Sequence, residues 1–207
     1  MWLPGELVLI AVLITIPFFF IEPRLYKRAW RCQYCKGLKL IWSDALSPLH
    51  GSQHLLDWYS ATHVCHGLTY GMIMTGWLHG TIAEYWFWIV AWALAVTWEL
   101  IENSPCFLHW WIGTDQSQFY KGDAILNSFG DCMSVVTGMI TVRSLFHACD
   151  GEITPTMIFS CSLFALLECA CYINIHDSFL VSLFTLVYNP IARRVAPAHE
   201  LHPGWRD

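Results

Sequence analysis

Between Trp58 and Trp77 the chain reads WYSATHVCHGLTYGMIMTGW, twenty residues without one Lys, Arg, Asp or Glu. A helix needs about 20 mostly apolar residues to cross a bilayer, and this stretch meets that length. Working outward, comparable runs lie at 85–100 (with Trp86, Trp88, Trp92 and Trp98), 124–142 and 156–173, and shorter ones at 7–21 and 179–191. None alternates with period two, so the runs predict helices and not the strands of a closed barrel. The expected fold is all-α, a polytopic transmembrane bundle of about six helices forming a single domain over 1–207.

Composition points the same way. Of 207 residues 56% are hydrophobic and 13% charged, with a mean hydropathy of +0.43, whereas an ordinary soluble domain is about 25% charged. A soluble protein built from this chain would lack the polar surface to cover its core. A net charge of −5 with only 11 Lys and Arg excludes a basic nucleic-acid binder. The expected partners are the lipid bilayer and other membrane subunits, with no nucleic acid. The nine cysteines do not make a secreted disulfide scaffold. Cys65, Cys106, Cys132, Cys149, Cys161, Cys169 and Cys171 lie in or beside apolar runs, where a thiol packs as a small hydrophobe. Cys32 and Cys35 form a C-x-x-C pair in the polar segment 22–57. A structural zinc site needs four ligands, so the pair is read as plain thiols, with a redox pair or a metal half-site as the alternatives.

The segment 22–57 holds six of the eleven basic residues: Arg24, Lys27, Arg28, Arg31, Lys36 and Lys39. With six spans, both termini share one face, and the loops 22–57, 101–123 and 173–178 share the other. The loop face carries seven Lys and Arg against four on the terminal face, and the positive-inside rule puts it in the cytoplasm. No basic residue precedes the first run and no small-residue cleavage site follows it. That predicts a retained first span and not a cleaved signal peptide.

Ionisable residues inside a span are costly and mark function by default, and here they gather at one depth. His54, Asp57, His63 and His66 stand at the start of the second span, and Glu99 and Glu102 at the end of the third. Asp123, Asn127 and Asp131 open the fourth, and Glu168, His176 and Asp177 close the fifth. Alternating helix direction brings all of them to one membrane surface. Asp123, Asn127 and Asp131 are each four apart and form one helical stripe. Asp123, following Gly122, is equally well read as a cap of the fourth helix, and the tryptophans as interface belts and packing. Asp131, Glu99 and Glu168 sit a turn or more inside apolar sequence and carry the functional reading. Carboxylates and imidazoles presented together suit a divalent metal ion such as zinc, manganese or iron, or acid–base work by groups with separated pKa values.

Three strings in this region resemble a family of uncharacterised bacterial inner-membrane proteins. They are Ser52-Gln53-His54-x-x-Asp57-Trp58-Tyr59 with His63-x-x-His66-Gly67, then Trp98-Glu99-x-x-Glu102-Asn103-Ser104-Pro105, then Tyr120-x-Gly122-Asp123-x-x-x-Asn127-Ser128-x-x-Asp131. The resemblance runs from about residue 30 to 192, and the family looks distantly similar to the VanZ-like membrane proteins, which are linked to glycopeptide resistance. It implies a bacterial inner-membrane location and no assigned activity. The chain departs from the pattern at His176, where arginine is expected, at Ser178, where asparagine is expected, and in the spacing of the cysteine pair.

The expected function is a membrane-embedded site for a metal or polar ligand, acting on a lipid-linked substrate. Glu99, Glu102 and Asp131 would be ligands or acid–base groups, and His63 and His66 ligands or proton carriers. Asn127 would orient a partner, and His54, Asp57, Asn103, Asp123, Glu168 and Asp177 would complete the binding set. The competing expectation is a non-catalytic subunit or assembly factor whose polar cluster fixes helix register. A small transporter fits less well, because no inverted repeat or broken-helix pair is visible.

Overall fold

The computed structural model describes residues 13, 15, 16, 21–35, 40–42, 50–77, 84–112, 122–184 and 186. Five α-helices are delimited: α1 (Trp58–Trp77), α2 (Glu84–Glu102), α3 (Pro105–Ile112), α4 (Ile125–Ala148) and α5 (Ile153–Ile175). A π-helical turn, Ile21–Leu25, precedes them. Residues 179–184 are helical again. The only strand-like pairing among the described residues is an isolated bridge between Trp42 and Leu56, so the protein is all-α. Most of the first expected run, and residues 185 and 187–191 of the last, lie outside the described residues.

α1 begins where Asp57 accepts the Tyr59 and Ser60 N–H groups on Oδ1 at 2.8 and 3.3 Å, which satisfies donors that a helix start leaves open. α4 continues past the expected end at 142. Arg143, which bounded the apolar run, stays in the helix with its guanidinium over the Phe146 ring at 5.4 Å. α5 likewise extends a few residues beyond 156–173 at each end. The stretch 101–123 is not all loop. Ser104 Oγ accepts the Phe107 N–H at 3.2 Å and Pro105 takes the first helical position, where its missing N–H costs nothing, so α3 starts there.

α4 is the hub, packing against α1, α2 and α5, and its longest contact is with α1. That contact is backbone-close. A Cβ on Gly67 of α1 would collide with the Val135 carbonyl oxygen, and one on Gly138 of α4 with the Val64 carbonyl oxygen. Small residues at a helix crossing are how helices approach in a membrane. Met74, Phe87, Ala91, Ala95, Val96, Val135 and Met139 fill an apolar core between α1, α2 and α4.

Polarity is distributed unusually. Thr62, His63, Glu99, Asn103, Asn127, Asp131 and Ser160 are buried, while Ile158, Phe159, Leu166 and Ile173 of α5 are exposed, the last two at 69% and 73%. Among the described residues, α4 and α5 are the helices long and apolar enough to cross a membrane, and most of α5 is uncovered by the rest of the chain.

Candidate functional site

α1, α2 and α4 meet at one end of the bundle with their polar residues turned inward. His63 of α1 stands between two acids: its Nδ1 lies 3.5 Å from Glu99 Oε1, and its Nε2 3.9 Å from Asp131 Oδ2. Glu102, one helical turn beyond Glu99, and Asp123, just ahead of α4, join them. Ligand atoms of His63, Glu99 and Glu102 all lie within 4.8 Å of one another, as do those of Glu99, Asp123 and Asp131. Glu99 belongs to both triads. His63, Glu99, Asp123 and Asp131 are each less than one-tenth exposed. The residues expected to share one site from helix direction alone are therefore brought together in their central members.

A hydrogen-bonded frame surrounds the triads. Ser60 Oγ donates to Asp131 Oδ1 at 2.8 Å. Asn103 and Asp123 grip each other twice: the Asn103 amide donates to Asp123 Oδ2 and the Asp123 N–H donates to Asn103 Oδ1, both at 2.8 Å. The same amide reaches Ser128 Oγ at 3.2 Å. Asn127 donates to the His54 carbonyl at 2.7 Å, tying α4 to the segment before α1. Asp123 is thus not the side-chain cap of α4. Ala124 occupies that position without a side-chain bond, and the Asp123 carboxylate is engaged by Asn103 instead.

Asp57 sits at the rim, where its Oδ2 accepts the Ser52 N–H at 3.1 Å. Burial, and then the nearby Asp123 carboxylate, push the Asp57 carboxyl from its ordinary 3.8 up to about 6, against the pull of its three backbone donors. Arg28 lies on the same side. Its guanidinium abuts Gly122, where a Cβ would strike it, and donates to the Asn103 carbonyl at 3.3 Å.

Of the other expected site residues, His66 adjoins the triads with its ring 5.8 Å from that of His63, while Glu168, Asp177 and His54 make contacts of their own. His66 is enclosed by aromatic rings, stacked on Tyr70 at 5.8 Å and edge-on to Phe179 at 4.4 Å and Trp98 at 5.4 Å. Glu168 accepts the Ser178 hydroxyl at 2.8 Å and the Phe179 and Leu180 N–H groups at 3.0 Å, so it holds the start of the helical segment at 179–184. Asp177 accepts the Ser178 N–H at 2.7 Å and the Ser182 hydroxyl at 3.2 Å. Burial, working against those two bonds, raises its carboxyl from 3.8 to about 7. His54 faces Cys35 and His50, and burial lowers its pKa, with the neighbouring His50 adding to the effect against the bond to the His50 backbone. Reading by charge alone passed over Ser60 and Ser128, whose hydroxyls complete the frame, and also His50.

The comparisons agree with the family resemblance. A family model described as a protein of unknown function, DUF2585, matches residues 25–193. The chain is 31% identical over 112 residues to a UPF0314 protein of Paracoccus denitrificans and 32% identical over 143 residues to one of Rhizobium meliloti. These alignments take in 54% and 66% of this chain, and 56% and 68% of the relatives, so the chain spans little more than half the length of the first. A UPF0314 protein of Brucella anthropi is 30% identical over 70% of each chain. No solved structure matches at a significant level. The chain belongs to this bacterial family, whose function is unassigned. The matches leave the VanZ-like kinship as an expectation.

Proposed function

We propose that this member of the DUF2585 family is a polytopic protein of the bacterial inner membrane. In this reading it binds a divalent cation among His63, Glu99, Glu102, Asp123 and Asp131, at one membrane face, and acts there on an anionic, lipid-linked substrate. The carrying observation is the pair of triads that share Glu99, buried but for the half-buried Glu102, with the ligand atoms of each within 4.8 Å of one another. Carboxylates this close and this buried repel one another and lose their hydration. A divalent ion offsets both costs, and imidazole with carboxylate is a donor set for manganese, iron or zinc. His63 and Asp131 would supply ligands from opposite helices. Asn103 and Ser60, by fixing Asp123 and Asp131, would set the geometry around the ion.

The bilayer part of the reading is supported by α4 and α5, by the exposed apolar side of α5, and by polar residues turned to the interior. The lipid-linked substrate is supported by the charge beside the site. Arg24, Lys27 and Arg31 are exposed on the segment whose Arg28 meets Gly122, and a basic patch at a membrane surface attracts anionic headgroups.

Manganese is the probe of choice, because it prefers oxygen ligands over thiolates. In detergent, the wild-type chain is expected to bind Mn2+ stoichiometrically by electron paramagnetic resonance titration. Glu99→Gln and Asp131→Asn keep shape and remove charge, and each is expected to weaken binding at least tenfold. The exposed Glu152→Gln serves as control. Undiminished Mn2+ affinity in both variants would sink the cation reading. The second reading, a non-catalytic subunit or assembly factor, is favoured by the reciprocal Asn103–Asp123 bonds and the Asn127–His54 bond, which fix register on their own. It predicts that the same variants change assembly or stability alone.

A further inference from the structure

Outside the carboxylate cluster, one group of side chains has no place in the proposed function. Cys32, Cys35, His50 and His54 present one ligand atom each, all within 4.8 Å of one another. His50 Nδ1 lies 3.7 Å from Cys32 Sγ and 3.3 Å from Cys35 Sγ, and His54 Nε2 lies 3.3 Å from Cys35 Sγ. Zinc–sulfur bonds of about 2.3 Å and zinc–nitrogen bonds of about 2.0–2.1 Å, at tetrahedral angles, set sulfur and nitrogen about 3.6 Å apart. The three observed separations bracket that edge.

The tautomer of His54 suits a metal ligand. Its Nδ1 stands 3.1 Å from the His50 carbonyl oxygen, which can only accept, so Nδ1 carries the proton. Nε2 is left with its lone pair facing the sulfur. Ligating histidines are held in this way by a backbone carbonyl on the far nitrogen. In sequence the four residues read C-x-x-C, fourteen residues, then H-x-x-x-H, a spacing that suits two Cys and two His on one zinc ion. Cys32 and His54 are each 1% exposed. Two thiolates and two neutral imidazoles around Zn2+ sum to zero charge, so the complex can be buried at a membrane face with little desolvation penalty.

We propose that Cys32, Cys35, His50 and His54 form a structural zinc site that staples the polar segment before α1 onto the bundle. Binding releases the two thiol protons and changes no oxidation state. The staple has a defined reach. Cys32 N–H donates to the Gln53 carbonyl at 3.1 Å, and the His54 carbonyl holds Asn127 of α4 at 2.7 Å. Zinc would therefore set the backbone that positions one wall of the carboxylate cluster. The site itself is independent of what that cluster does.

The test uses the full chain purified in detergent. Wild type is expected to retain one zinc per chain that survives mild chelation, and X-ray absorption should show two sulfur and two nitrogen neighbours. Cobalt exchanged into it should give a thiolate charge-transfer band and tetrahedral visible bands. Cys35→Ser and His54→Ala should lose the retained zinc. His50→Cys, which replaces one ligand by another, should keep it with three sulfurs, so loss of metal is separated from failure to fold. Glu99→Gln and Asp131→Asn should leave the cobalt spectrum unchanged, which keeps this outcome distinct from failure of the cation reading. Wild-type zinc retention in Cys35→Ser, an all-oxygen zinc shell, or a Cys32–Cys35 disulfide in protein isolated without zinc would each overturn the proposal.

Discussion

Replacing Glu168 by alanine should unfold one end of the protein and leave Mn2+ binding as it is in the wild type. In sequence Glu168 is an acid deep in an apolar run and ranks with Glu99 and Asp131 as a ligand. In the fold its two oxygens take a hydroxyl and two backbone N–H groups from Ser178, Phe179 and Leu180, at 2.8, 3.0 and 3.0 Å. Hydrogen bonds to a charged acceptor contribute about 1.5–3 kcal/mol each, and an acid at a helix start gains up to about 2 kcal/mol more from the helix dipole. The bonds share one side chain and do not add, so Glu168→Ala is expected to cost about 3–5 kcal/mol. Glu168→Gln keeps one acceptor oxygen and should lose less than half of that. Denaturant unfolding in detergent measures both, and hydrogen exchange at Phe179 and Leu180 reports where protection is lost. The Mn2+ affinity should stay at the wild-type value. A Glu168 variant with wild-type stability and weakened Mn2+ binding would refute this assignment and return the residue to the cation site.

Gly67→Ala puts a methyl group onto the Val135 carbonyl oxygen, and thermal unfolding should show a loss of about 1–3 kcal/mol or more. Gly76→Ala, on the same helix, meets only the Met157 methyl at 3.5 Å and should be neutral or stabilising by about 0.5–1 kcal/mol. Equal effects at the two sites would dismiss the close helix crossing. Asp177 holds its proton up to about 7 in the folded chain, against 3.8 when free. Its contribution is therefore full below about pH 4 and is lost as pH rises through 7, and Asp177→Asn should flatten the stability–pH curve across that window.

Much of this was legible in the sequence wherever a single local signal decided the outcome. The charge-free run from Trp58 to Trp77 is α1 residue for residue, because Asp57 ends the polar segment and caps the helix in one step. Glu99, Asp123 and Asp131 come together as helix direction alone required. Elsewhere the deciding partner is remote in sequence, or the local signal is short and lies in a polar stretch. Ser104-Pro105 is a helix-start pair inside a stretch whose polar residues read as a loop. Glu168 is costly to bury, which marks it as special, but its partners lie ten to twelve residues on, across a turn. His50 stands in the polar segment, where no span drew attention to it. Its spacing to His54 completes the donor set that the cysteine pair lacked.

The central claim is that the His63–Glu99–Glu102–Asp123–Asp131 cluster holds a cation. Anomalous diffraction from crystals of the full chain grown with Mn2+ tests it most directly. The account predicts a manganese peak among the Glu99, Asp123 and Asp131 oxygens, on the His63 side of the cluster. No manganese peak there, with Glu99 and Asp131 sharing protons with each other and with Ser60 and Asn donors across a closed contact, would contradict it and leave the cluster as a packing network.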